Sequence, residues 1–168
     1  DGSNVVPAIL TVTIFEGDTP NDNLYLTEVM YSPQSNGFDY EWVEFYNPND
    51  IAIFVNSWTI ADNEQKDNIV SEENEIITIP AKSVGILTSS PSTFRETYVN
   101  YKYVFSVEDV AIGNGLGTSE TIILSKNSYN DAFTYTSEDG ANGNGKTLTR
   151  SCYNCADWNE AVSSPGTI

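Results

Sequence analysis

The sequence predicts an all-β protein, built as an antiparallel sandwich or barrel with at most one short helix. About ten short runs of apolar, β-branched and aromatic residues follow one another, separated by turn residues. Strands do not alternate with long helical patterns, which disfavours a parallel α/β sheet. Turn signals recur roughly every 8–12 positions, a spacing typical of sandwiches.

The composition of the sequence excludes several classes of function. The 168 residues suffice for one domain, or for one domain with an arm. Asp and Glu number 24 against 7 Lys and Arg, so the net charge of -17 makes nucleic acid an unfavourable partner. The sequence has no His, which excludes Ser-His-Asp and Cys-His catalysis and His-based metal sites. It also lacks an apolar run long enough for a membrane span.

The N-terminal part separates from the rest by its turn chemistry. Ala8–Phe15 alternates apolar and Thr residues and predicts a strand, and Glu16–Asn23 combines Gly, Pro, Asn and Asp. We therefore divide the chain into residues 1–23, an arm or extra strand with its linker, and residues 24–168, the main domain. The extra strand could join the main sheet or belong to a preceding module.

The main domain begins with a hairpin. Leu24–Tyr31 and Glu41–Tyr46 are β-rich runs, each followed by a proline turn and joined by a polar loop. A period of two would place Leu24, Leu26, Glu28 and Met30 on one face of the first strand. In the second strand it separates Val43 and Phe45 from Trp42, Glu44 and Tyr46.

Shorter elements follow. Ser89–Tyr98 is the helix candidate, with Ser90 or Ser92 as its cap, and Asp62–Asn68 and Glu138–Lys146 are predicted loops. The remaining runs predict strands: 51–55, 58–61, 76–79, 84–88, 103–107, 121–124 and 132–136. The run 148–150 precedes the turn at Cys152 and Cys155, and 156–161 follows it.

The order of motifs resembles the lamin tail domain family. Each piece is unspecific, but their series matches the family from about Leu24 to Ile168. The pieces are Thr27–Pro33, Glu41–Pro48, Ser57–Ile60, Ile79-Pro80, Glu120–Leu124, Asp131–Tyr135, Gly145–Arg150, Asp157-Trp158 and Pro165–Thr167.

The resemblance implies an immunoglobulin-like antiparallel β-sandwich without catalytic residues. It also implies a non-enzymatic interaction or structural module of an extracellular, cell-surface or cell-envelope prokaryotic protein, with a protein or glycan partner. The chain lacks the coiled-coil rod and the basic face of nuclear lamins, so their DNA contacts are not carried over. The alternative is a carbohydrate-binding β-sandwich module, accessory to an exported enzyme. We expect a monomer that requires no cofactor.

Two glutamates lie in the best-matched motifs. If the first two strands pair, Glu28 and Glu44 come close together, and buried carboxylates need a compensating positive group. Arg150 could supply it, because a planar guanidinium donates two parallel hydrogen bonds to a carboxylate. We expect a structural ion pair of Arg150 with Glu28 or Glu44. The functional alternative is the acid and nucleophile pair of a glycosidase.

The loop at 62–68 carries Asp62, Glu64 and Asp67. Calcium prefers several carboxylate and carbonyl oxygens, so these residues are candidate calcium ligands, although the spacing is not that of an EF-hand. The simpler interpretation is a solvated acidic loop.

Cys152 and Cys155 form a C-x-x-C motif. A zinc site would need further ligands that the sequence does not offer, and a thioredoxin-like role would need a helix start in an α/β fold. We expect a short-range disulfide in an exported protein.

The sequence contains 3 Trp and 10 Tyr. Aromatic side chains of β-sandwiches mostly pack in the core, but an exposed group could bind sugar or a partner. Tyr98, Tyr101 and Tyr103 are the candidates for such an aromatic surface.

Overall fold

The structure is a computed structural model that describes residues 22–35, 37–71 and 77–167. The predicted strand Ala8–Phe15 and most of the 1–23 segment lie outside the described residues.

The described residues form twelve strands, one α-helix and two short 3-10 turns, Phe38–Tyr40 and Ser137–Asp139. The helix α1 spans Pro91–Thr97, within the predicted Ser89–Tyr98, with a proline in its first turn. The strands are β1 (Tyr25–Met30), β2 (Trp42–Asn47), β3 (Ile53–Phe54), β4 (Thr59–Ala61), β5 (Lys66–Val70), β6 (Thr78–Ile79), β7 (Ser83–Thr88), β8 (Val104–Val107), β9 (Ser119–Lys126), β10 (Tyr129–Thr136), β11 (Lys146–Arg150) and β12 (Trp158–Val162).

Ten of these strands form one curled sheet in the order β10-β9-β4-β5-β8-β7-β2-β1-β11-β12, and β3 pairs with β6. The strand β5 pairs with β4 through residues 66–68 and with β8 through Ile69 and Val70. It therefore connects the two halves, which face each other as the layers of a sandwich. Apolar side chains of both halves fill the space between them, among them Leu26, Val43, Phe45, Ile60, Leu124 and Phe133.

The position of β5 and the direction of one strand pair differ from the sequence prediction. The strand β5 lies partly in the predicted loop 62–68. Burial alternates along this strand, and Asp67 is buried on the same face as Ile69. The pair β7–β8 is parallel, whereas every other described pair is antiparallel. Parallel neighbours need a crossover, and α1 lies in the connection between these two strands.

A β-bulge interrupts β1 between Leu26 and Glu28. An extra residue reverses the alternation of side chains, so Leu26 and Val29 both enter the main core while Glu28 lies on the outer face. The predicted common face of Leu24, Leu26, Glu28 and Met30 was therefore wrong. The faces predicted for β2 are confirmed, with Val43 and Phe45 in the main core and Trp42 outside it.

The outer face of β1, β2, β7 and β8 carries a second, smaller core. Met30, Trp42, Ile86 and Val104 are buried there beneath Phe94 of α1. None of the described helices is long and apolar enough to span a membrane.

Candidate functional site

Two glutamates face each other on this outer face. Glu28 lies opposite Glu44 in the β1–β2 ladder, and the exposed fraction of both residues is 0%. The Glu28 carboxylate accepts hydrogen bonds from the Thr147 hydroxyl at 2.5 Å and from the Ser164 backbone N–H at 2.9 Å. These bonds tie β1 to β11 and to the C-terminal segment 163–167.

Glu44 is bound in the same manner. Its carboxylate accepts hydrogen bonds from the Thr27 hydroxyl at 2.6 Å and from the Gly166 N–H at 2.5 Å. Burial raises the pKa of Glu44 to about 7, against the lowering effect of both donors, and the charge of Glu28 adds to the rise. Burial also raises the pKa of Glu28.

Arg150 does not compensate these glutamates, and the predicted ion pair was wrong in its partner. The Arg150 guanidinium donates to Asp131, with Nη1 at 2.7 Å from Oδ2 and Nη2 at 3.2 Å from Oδ1. The reason is the period of two along β11. Thr147 faces Glu28, so Arg150, three positions further, points to the opposite face of the sheet.

The remaining donors of Arg150 bind main-chain carbonyls. Nη1 donates to Leu26 and Tyr153, and Nε donates to Cys155. The Leu26 N–H in turn donates to Asp131 at 2.8 Å. This nearly buried ion pair therefore joins β1, β10 and β11 to the turn after β11. The sequence predicted a structural ion pair for Arg150, but with Glu28 or Glu44 as its partner.

Three further acids hold the loop between β8 and β9. The backbone N–H groups of Gly113, Asn114 and Leu116 donate to Asp67, Asp62 and Glu41 at 2.6, 3.0 and 2.9 Å. Burial raises the pKa of Glu41 to about 7. Glu41 directly precedes β2, whereas Asp62 and Asp67 belong to the β4–β5 hairpin, so carboxylates from two distant parts of the chain fix the loop.

The predicted calcium ligands are not assembled as one group. Asp62 and Asp67 are buried and bound to N–H donors, whereas Glu64 is exposed. The described residues contain no group of three or more acids or cysteines placed to hold a metal ion. Calcium binding stays a prediction. If it occurs, the chelator EDTA lowers the melting temperature, and an unchanged melting curve would contradict it.

A concavity lies between α1, the 3-10 turn at Phe38–Tyr40 and the adjoining ends of β1 and β2. We call it the helix pocket; its volume is about 220 Å³. Its apolar wall consists of Met30, Tyr40, Trp42, Phe94 and Tyr98, and its polar wall includes Gln34, Ser35, Asp39, Thr93 and Thr97.

Three rings of the pocket form a corner. Trp42 meets Phe94 and Tyr98 edge-on, with centroids 5.8 Å apart in both pairs, and Phe94 lies 4.9 Å from Tyr98. The Trp42 indole N–H is buried and has no hydrogen-bond partner within the described chain. Tyr40 is 40% exposed and pairs with no other described ring.

Contacts with Thr88 and with the loop between β8 and β9 fix the turn that carries Asp39 and Tyr40. The Phe38 ring covers Gly115, where an added Cβ would approach the ring within 2.1 Å. The Glu41 carbonyl accepts a bond from the Thr88 hydroxyl at 2.9 Å, while its side chain binds Leu116. The pocket wall is therefore fixed to the same loop that the three acids hold.

The three tyrosines of the predicted aromatic surface do not form one surface, because they pack at different places. Tyr98 and Tyr101 are half-buried against the outer core, and Tyr103 packs against the main core. Tyr98 lines the helix pocket, but Tyr101 and Tyr103 lie at a separate groove beside β7. Sequence reasoning missed Asp39 and Tyr40; the available signal was the pair of aromatic residues, Phe38 and Tyr40, in an otherwise polar loop.

Comparison with protein families gives a match to the Lamin Tail Domain over residues 18–148. This covers more than half of the 168 residues. The chain belongs to the lamin tail domain family. The immunoglobulin-like β-sandwich with one short helix, expected from the resemblance, is thereby confirmed. Neither the curated proteins nor the solved structures gave a match.

The part of this lamin tail domain beyond the family match is integrated into the fold. Cys152 and Cys155 form the predicted disulfide, with Cα atoms 5.1 Å apart. The strand β12 pairs with β11 along its length, and Trp158 stacks on Phe133 with centroids 3.8 Å apart. The C-terminal segment 163–167 then covers Glu28 and Glu44.

Proposed function

We propose that this lamin tail domain is a non-enzymatic interaction or structural module of an extracellular or cell-surface protein. One observation carries the proposal. The buried carboxylates that could perform acid–base chemistry are bound by hydroxyl and backbone donors of neighbouring segments, as in Glu28, Glu41 and Glu44. Such carboxylates join elements of the fold, whereas catalytic acids must reach a substrate.

The proposed location rests on the cysteines. A disulfide between Cys152 and Cys155 persists in oxidising compartments and is rare in the cytosol. On intact cells that produce the protein, we expect a membrane-impermeant biotinylation reagent to label it. Labelling only after lysis would contradict the proposed location.

We expect the domain to act as a monomer and to bind a protein partner. Its net charge of -17 disfavours DNA and RNA as partners. The exposed Tyr40 ring beside the corner of Trp42 and Tyr98 also suits sugar stacking, which keeps a carbohydrate-binding module as the second candidate.

Parallel arrays separate the two candidates. The labelled domain is applied to a glycan array and to an array of varied peptides under the same buffer. Binding to peptides alone supports the leading proposal, whereas binding to a defined set of glycans alone supports the second. A domain that binds neither array but converts a substrate in a hydrolase screen would contradict both.

A further inference from the structure

We propose that the helix pocket receives a basic side chain, a lysine or an arginine, from a protein partner. This inference rests on the protein-interaction role proposed above and assigns it a place on the surface.

Charge favours a cation. Asp39 is the one charged residue among the described residues that line the pocket, and it is exposed. The pocket belongs to a protein with 24 acidic and 7 basic residues. Such a field concentrates cations at the surface and repels anions.

The rings favour the same ligand. Trp42 lies nearly perpendicular to Phe94 and Tyr98, and the ring of Tyr40, which is 40% exposed, lines the same pocket. Aromatic faces carry negative charge density and attract ammonium and guanidinium groups that lie within about 6 Å of the ring centroid. The thioether of Met30 completes an apolar wall for the methylene groups of a long basic side chain.

The oxygen atoms of the pocket are available to a donor. Gln34, Tyr40 and Thr97 are exposed polar residues that line the pocket. A lysine ammonium donates three hydrogen bonds and a guanidinium five, and neither accepts any. A volume of about 220 Å³ suits one side chain better than a chain of sugar rings.

The sequence provides a selective reporter. Met30 is the only methionine of the chain and lines the pocket. The whole domain is labelled with ¹³C at the methionine methyl group and titrated with the blocked peptide Gly-Gly-Lys-Gly-Gly, its arginine counterpart and its acetyl-lysine counterpart. We expect saturable movement of the single methyl signal with the first two peptides, and binding about tenfold weaker with acetyl-lysine, which lacks the charge.

Two variants test the pocket itself. Asp39→Asn and Tyr40→Ala change exposed residues, and a thermal melt of each verifies that it folds. We expect about three- to tenfold weaker binding for each, as for the loss of one ionic or one ring contact. Glu138→Gln is the matched control, because it removes one negative charge from an exposed residue outside the pocket. It should bind as the unchanged protein does.

The contradicting results are distinct. An unmoved Met30 signal, equal binding of acetyl-lysine, or equal affinities of Asp39→Asn and Glu138→Gln would each overturn the pocket assignment. If chito- or cello-oligosaccharides move the signal and basic peptides do not, the pocket is a sugar site and the proposal is wrong. Peptides that bind the array without moving the Met30 signal would overturn the pocket assignment and leave the interaction role intact.

Discussion

Glu28 and Glu44 are buried side by side, and hydroxyl and amide donors bind them in the place of a cation. A carboxylate removed from water loses hydration, and neutral donors restore only part of that stabilisation. This explains why burial is the first cause of the raised pKa of both groups. The sequence predicted that the two buried carboxylates need a stabilising partner. It did not indicate that neutral hydroxyl and amide donors, rather than a cation, stabilise them.

Stability should therefore depend on pH through Glu44. The folded state holds this proton up to about pH 7, whereas the ordinary pKa is 4.5. Between these values unfolding releases the proton, so the free energy of unfolding falls as pH rises and stays low above pH 7. We expect Glu44→Gln to raise the free energy of unfolding by up to about 3 kcal/mol at pH 8 and by little at pH 4.5, measured by urea unfolding.

The geometry permits this substitution. A glutamine oxygen can accept from the Gly166 N–H while its amide donates to the Thr27 hydroxyl oxygen. Glu138→Gln serves as the control, because Glu138 is exposed. An equal effect of Glu44→Gln at both pH values would contradict the prediction.

A comparison of two ion pairs tests the role of Arg150. Its side chain is 9% exposed and that of Asp131 12%, whereas Lys82 and Asp50 form a pair with 55% and 92% exposure. Removing one partner of a nearly buried pair leaves an uncompensated charge. We expect Arg150→Met to cost about 3–5 kcal/mol and Lys82→Met less than about 1 kcal/mol in urea unfolding. Similar costs for the two variants would contradict this role.

At the scale of elements, carboxylates bind loops by accepting backbone N–H groups. Glu160 of β12 does so for the loop after β10, accepting from Ala141 at 2.7 Å. Its pKa falls to about 2, first because of the Lys146 side chain that donates to it. Asp62 and Asp67 do the same for the loop that begins at Gly113. The acidic composition is in part a set of such contacts rather than only a solvated surface.

A pair of glycines tests this arrangement. Gly113 and Gly143 both have positive φ, +60° and +69°. A Cβ on Gly113 would lie 1.9 Å from the Asp62 carboxylate, whereas one on Gly143 would lie 3.8 Å from its nearest neighbour, the Ser32 hydroxyl. We expect Gly143→Ala to cost about 1 kcal/mol for backbone strain, and Gly113→Ala to cost at least twice as much in urea unfolding. Equal costs would show that Asp62 moves aside freely.

The sequence predicted elements whose residues favour one structure locally. The β-rich runs of β1 and β2, and the proline-started helix α1, were found near their observed bounds. The bulge before Glu28 was not predictable, because an inserted residue leaves the local composition unchanged. The strand β5 was missed because Lys66, Asp67 and Asn68 disfavour strands, and only tertiary pairing places them in one. The helix pocket joins segments distant in the chain, so no local pattern indicated it.

For the whole molecule, the C-terminal region completes both layers of the structure. Trp158 of β12 stacks on Phe133 of β10, which closes one side of the sandwich. Ser164 and Gly166 donate to the buried glutamates of the outer face. The Tyr98 hydroxyl lies 2.8 Å from that of Ser163, which connects the segment to the side chain after α1. The family match ends before all of these contacts, at residue 148.

Two shortened chains test this dependence. A chain that ends at residue 162 keeps β12 but loses the donors Ser164 and Gly166, and water reaches Glu28 and Glu44. We expect it to fold with a lower melting temperature and a flatter pH dependence, because hydration returns both pKa values toward 4.5. A chain that ends at residue 150 also loses β12, the disulfide and the Trp158 contact. We expect it to show no cooperative melting by circular dichroism, whereas a transition at the temperature of the full chain would show that residues 22–150 fold without the C-terminal region.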